Sequence, residues 1–174
     1  MKKWQGIVIL IFLTLTLSAQ QFSNEKVFGR FLNKSGVDKS YIWKICARSA
    51  ALFTAGLFDG TAEILRSDYP AFKKRFPNAK DEFWDMRISH RNKWKNGDYT
   101  QGPAYFGSTT FLAWTTDGYH LVRTLRNFGY ATALIIPIGG KKKWYVYIIE
   151  LAVNYMAWTG GFNLTYHWYF KHNY

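Results

Sequence analysis

The sequence predicts a mainly α fold, a compact bundle of about four helices. Three observations carry that expectation. Residues 41–66 run without proline and bring small residues, Ala47, Ala50, Ala51, Ala55 and Gly56, to the spacing that lets helices pack closely. Segments 105–126 and 144–158 are rich in apolar residues and poor in charge. Hydrophobic residues make up 48% of 174 positions, which supplies one core of ordinary domain size and excludes global disorder.

The elements follow in order. Lys2 and Lys3 precede an apolar run, Gly6 to Leu17, and Ser18-Ala19-Gln20 follows it. This is the three-part plan of a secretory signal peptide, cut after Ala19. The run is shorter than the roughly 20 residues of a comfortable membrane span. Residues 1–19 are therefore read as a signal peptide and 20–174 as a single helical domain. Residues 20–40 are a polar, basic lead-in. Tyr41 to Arg66 reads as a long helix that Ser40 can cap, with Asp59 and Glu63 one turn apart on a shared face.

Residues 67–103 differ. Basic residues outnumber acidic ones, aromatics are frequent, and Pro70, Pro77 and Pro103 forbid one continuous helix. The reading is a long ordered connection holding two short helical pieces, near 71–76 and 81–88, with Asn96-Gly97-Asp98 as a turn. Connections of this length are uncommon and often functional. Tyr105 to Arg126 is a second helix, although its threonines weaken helical propensity. Phe128 to Ile138 is a third apolar segment, broken at Pro137 and Gly139-Gly140. After Lys141-Lys142-Lys143, Trp144 to Trp158 is a fourth helix, ended by Thr159-Gly160-Gly161. In the tail, Phe162, Leu164, Tyr166, Trp168 and Phe170 alternate with mostly polar residues, a period of two that suits a C-terminal strand, the alternative being a helix continued through the glycines. The echo of Phe53-x-Ala55-x-x-x-Asp59-Gly60 in Phe111-x-Ala113-x-x-x-Asp117-Gly118 would place two Asp-Gly pairs at equivalent depths of two helices.

Charge and aromatics narrow the function. The formal charge is +12, and the aromatic fraction is 20%. A basic chain suits nucleic acid or an anionic membrane surface. Losing Lys2 and Lys3 with the leader lowers the +12 to +10, and export removes nucleic acid as the natural partner. Trp and Tyr flanking apolar runs favour a membrane interface. The single cysteine, Cys46, excludes a disulfide framework and is expected to be buried.

Two constellations could carry chemistry. Asp59, Glu63, Asp117 and Glu150 are the acids that lie within apolar segments, joined by His120 and Asn154. Asp117-x-x-His120 puts a carboxylate and an imidazole on one face, as in helix-borne metal sites. Catalytic candidates are thus Asp59, Glu63, Asp117, His120 and Glu150, with Glu63, Asp117, His120 and Glu150 as candidate metal ligands. The alternative is buried polar pairing with Arg66, Arg123 or Arg126. The second constellation is Arg87, His90, Arg91, Lys93, Trp94 and Lys95, basic residues beside a Trp that suit lipid head groups or another anionic ligand. The expectation is an exported, membrane-associated envelope protein that binds lipid or partner proteins without catalysis. The alternative is a membrane-embedded metal-dependent enzyme. Cofactor, ligand and oligomeric state stay open.

Overall fold

The computed structural model describes residues 39–136 and 141–171. The leader, the lead-in and the glycine pair at 139–140 lie outside the described residues. The chain is mainly helical, and no strand occurs among the described residues.

Helix α1, Lys39–Ser67, is the central element. Its proline-free run of small and apolar residues extends one to two residues beyond each expected bound. The connection then builds short pieces. Helix α2, Tyr69–Arg75, starts on Asp68, whose carboxylate accepts from the Ala71 amide, with Pro70 in the first turn where its missing N–H costs nothing. Lys73, Lys74 and Arg75 close it, where the helix dipole favours cations. Helices α3, Asp81–Trp84, and α4, Met86–Ser89, replace the single piece expected at 81–88. Asp85 breaks the run by turning extended, and then caps α4 through the Arg87 amide. Three 3-10 turns follow, pinned by an isolated antiparallel bridge between Trp94 and Pro103.

Helix α5, Gly118–Ile135, merges the second half of one expected helix with most of the third apolar segment. The predicted helix over 105–117 is not formed. That stretch is a series of turns, with Gly107 at φ 82° and one 3-10 turn at Ala113–Thr115. Its threonines donate to carbonyls three residues back, which competes with helical pairing. Helix α6, Trp144–Asn163, runs straight through Gly160 and Gly161 and widens into a π-helical segment, Leu164–Lys171. The C-terminal strand is therefore absent, and the alternative, a helix continued through the glycines, is the one formed.

Paired contacts set the directions. Ser49 meets Asn154, Gly56 meets Trp158, and Gly60 meets Thr165, so α6 lies parallel to α1. Gly129 meets Ala51 and Ala55, and Asp59 meets Arg126, so α5 is antiparallel to α1. We call the end holding Lys39 the base and the end holding Ser67 the crown. The main core sits at the crown: Ala62, Ile64 and Leu65 of α1, Tyr69 and Phe72 of α2, Val122 of α5, and Phe170 of the tail. A small cluster of Val146 with Tyr41, Ile42 and Tyr145 closes the base. Between them the helices touch through glycine and alanine. A Cβ on Gly161 would stand 2.1 Å from the Phe53 carbonyl oxygen, and one on Gly56 would stand 2.1 Å from the Trp158 carbonyl oxygen. The backbones are in direct contact there.

Candidate functional site

Asp117 is the most deeply buried acid among the described residues, 1% exposed. It is the N-cap of α5, not a residue within a helix, so the Asp59 and Asp117 echo does not mark equivalent depths. Its carboxylate accepts from the His120 amide at 2.8 Å, from His120 Nδ1 at 2.7 and 2.9 Å, and from Thr116 Oγ1 at 3.2 Å. Burial pushes the carboxyl up, but the His120 and Thr116 hydrogen bonds outweigh it and hold Asp117 below the usual carboxylate range. With a carboxylate at Nδ1, that nitrogen carries the proton and Nε2 is the ring's second position. Asn92 donates from its side-chain amide to the Thr116 carbonyl at 3.0 Å and the Glu82 carbonyl at 2.7 Å, tying the long connection to this cap. The Trp84 ring lies on Gly118, where a Cβ would stand 2.3 Å from it. Neither the Asn92 clamp nor the Trp84–Gly118 contact has a sequence signal, because both bridge segments far apart in the chain.

The other expected acids have separate partners. Asp59 accepts from Arg126 at 2.9 Å. Glu63 stands 3.9 Å from Arg66 near the surface, where ion pairs contribute little. Glu150 accepts from both Tyr41 Oη and Lys142 Nζ at the base. The Lys142 side chain is 2% exposed and its ammonium lies over the Tyr41 and Tyr147 rings at 4.6 and 5.0 Å. Asn154 accepts from Ser49 Oγ at 3.5 Å. Asp117 and His120 come together as expected, but Glu63 and Glu150 do not join them. Among the described residues no group of three His, Cys, Asp or Glu could hold a metal ion. Asp59 pairs α1 with α5 through Arg126 and Glu150 pairs α6 with α1 through Tyr41, whereas Glu63 pairs with Arg66 within α1.

The Lys142–Glu150 pair is desolvated, so breaking one side should cost more than an exposed pair would. Lys142→Met is expected to destabilise the fold by about 3 kcal/mol, because it leaves the Glu150 charge with only a phenol for a partner. A chemical-denaturation midpoint equal to that of the parent would refute this.

The basic run is partly committed. Arg87 grips Asp85 through Nε and Nη2, at 3.0 and 2.7 Å, and this hydrogen bonding holds Asp85 below its ordinary range. His90 Nδ1 lies 3.1 Å from the Met86 carbonyl. Lys93 sits over the Trp94 ring at 5.8 Å, and its carbonyl accepts from the buried Ser108 hydroxyl. Arg91 and Lys95 are exposed.

Two surfaces escaped the sequence reading. The turns within and after the bridge present Tyr99, Tyr105, Phe106, Phe111 and Trp114 to solvent, Phe106 at 86%. The available signal was the absence of any charged residue between Asp98 and Asp117. The base half of the bundle is apolar outward: Leu134 and Ile135 on α5 are 76% and 78% exposed, and Trp144 and Leu151 on α6 are 73% and 72%. Phe128, Ile148, Ile149 and Met156 are also exposed. Cys46, expected inside, is exposed on α1. No helix among the described residues is long and apolar enough to cross a membrane. Compared with known proteins, the chain matches no family model, no curated protein and no solved structure.

Proposed function

We propose that this is an exported, membrane-associated helical envelope protein with a non-catalytic binding or structural role, seated on a lipid surface by the base half of α5 and α6. The observation that carries this reading is the outward apolar surface there. Soluble proteins rarely expose so many large apolar side chains together, and such patches mark interaction sites. Helix α6 is apolar around its circumference, which fits a helix that has lipid on the side away from its partner. Trp43, Trp144, Tyr147 and Tyr155 are exposed among these residues, the amphipathic rings that favour the headgroup level. Export rests on the basic, apolar and small-residue plan of residues 1–19. A metal-dependent enzyme finds no support in acids that pair separately.

Flotation of the purified chain with lipid vesicles tests the seat. The parent is expected to float with vesicles. The exposed double variant Ile148→Glu/Leu151→Glu, one helical turn apart, is expected to partition at least about a hundredfold more weakly, since each lost apolar burial is worth roughly 1.5–3 kcal/mol. Circular dichroism should show its helicity unchanged. Undiminished flotation of a folded double variant would refute the seat.

A further inference from the structure

We propose that the segment leading into α6, Lys141 to Trp144, is a binding site for the anionic head groups of a phospholipid bilayer, formed by Lys141, Lys143 and Trp144. This inference rests on the membrane-seated reading and adds which lipid is chosen and by which residues.

Three consecutive lysines are not equivalent. Lys142 turns inward, its side chain 2% exposed, and is spent on Glu150, Tyr41 and the Tyr147 ring. Lys141 and Lys143 on either side are exposed. The inward lysine therefore holds the start of α6 against α1 and leaves its two neighbours exposed. Trp144 follows at once, 73% exposed, and begins the helix that carries the outward apolar side chains. Charge and apolar surface thus meet at one rim. A bilayer presents that order of layers, phosphate outside and hydrocarbon within, and a Trp ring suits the boundary between them. Each lysine near an anionic membrane surface contributes about a fivefold gain in binding, over a range set by the Debye length.

A second copy of the chain is the other candidate to cover the apolar surface. The net charge, +12 for the whole chain and +10 without Lys2 and Lys3, disfavours it, because two such chains repel, whereas an anionic bilayer attracts. The basic run at 87–95 is the rival site for head groups. There Arg87 is already held by Asp85, and Lys93 lies over Trp94 beside the bridge.

The experiment compares partitioning of the chain onto vesicles of pure phosphatidylcholine and onto vesicles with one third phosphatidylglycerol. The parent should bind the anionic vesicles more tightly, and the preference should shrink as salt rises. Lys141→Ala/Lys143→Ala should lower binding to the anionic vesicles by about 25-fold and leave binding to phosphatidylcholine unchanged. Arg91→Ala/Lys95→Ala, a pair of exposed cations in the other run, should keep the parent's preference. Equal binding of the parent to both vesicles overturns the headgroup site alone, since the seat would still stand. Loss of the preference in the 91/95 variant and not in the 141/143 variant places the site elsewhere and also overturns it. Binding to neither vesicle, with a stable dimer by sedimentation, overturns the seat as well.

Discussion

Gly161→Ala is expected to destabilise the protein by about 3–4 kcal/mol, among the largest single-residue effects in the chain. The added methyl would lie 2.1 Å from the Phe53 carbonyl oxygen and 3.0 Å from the Leu57 amide nitrogen. Both obstacles are backbone of α1, so no side-chain rotation relieves them. The helices would have to separate by an ångström or more, and the gap would propagate along a seam of small residues that cannot fill it. Gly160→Ala is the matched control. Its Cβ would meet only the Phe53 ring at 3.8 Å, an ordinary contact. There the gain in helix propensity should stabilise by about 0.5–1 kcal/mol. Two neighbouring glycines therefore give opposite signs. Urea denaturation followed by circular dichroism reads both, and a harmless Gly161→Ala would mean that α1 and α6 are not in backbone contact. Gly56→Ala should behave like Gly161→Ala. The double variant should cost less than the sum, because both force the same separation.

The second large effect belongs to Asp117. Asp117→Ala removes an N-cap, worth about 1 kcal/mol, and takes the acceptor from the His120 ring N–H, while the Thr116 hydroxyl keeps the Ala113 carbonyl. A total near 3 kcal/mol is expected. The pH dependence is more specific. The folded-state carboxyl lies below the ordinary aspartate value of 3.8, so the charged form is favoured by folding. Its contribution is fully present above 3.8 and is lost as pH falls through the lower, folded value. Asp117→Asn keeps an acceptor for the cap but has no charge to lose. Thermal melts from pH 7 down to pH 3 should show a steeper loss of stability for the parent than for Asp117→Asn. Parallel slopes would remove Asp117 from the acid response.

Much of the architecture is legible in the sequence, and the errors have physical causes. Helix α1 shows itself because its small residues, apolar residues and lack of proline all agree. The tail misleads because two periods coincide in it. Phe162, Leu164, Tyr166, Trp168 and Phe170 alternate, but Phe162, Tyr166 and Phe170 also lie four apart. That second row is the one that packs: Phe162 and Tyr166 stack at 5.3 Å, and Phe170 is buried against Phe72. The intervening Leu164 and Trp168 are exposed. Glycines 160 and 161 resemble a stop signal, and only the approach of α1 shows that Gly161 is there for close packing. The Asp117-x-x-His120 spacing is legible as a pair. Its role as a helix start depends on the turns before it, which Gly107 and the threonines hold open. The separate partners of Glu63 and Glu150 depend on helix rotation, which spacing within one segment does not encode.

The parallel pairing of α1 with α6 also sets an order of events in time. Ser49 and Asn154, which meet across that pair, are 105 residues apart in the chain. During synthesis at about 5–20 residues per second, the glycine and alanine face of α1 waits roughly 5–20 s for its partner. Closing so long a loop is slow, and it delays the contacts that reward it. Until α6 arrives, α1 is an apolar helix with an open seam, a natural substrate for chaperones that hold chains unfolded.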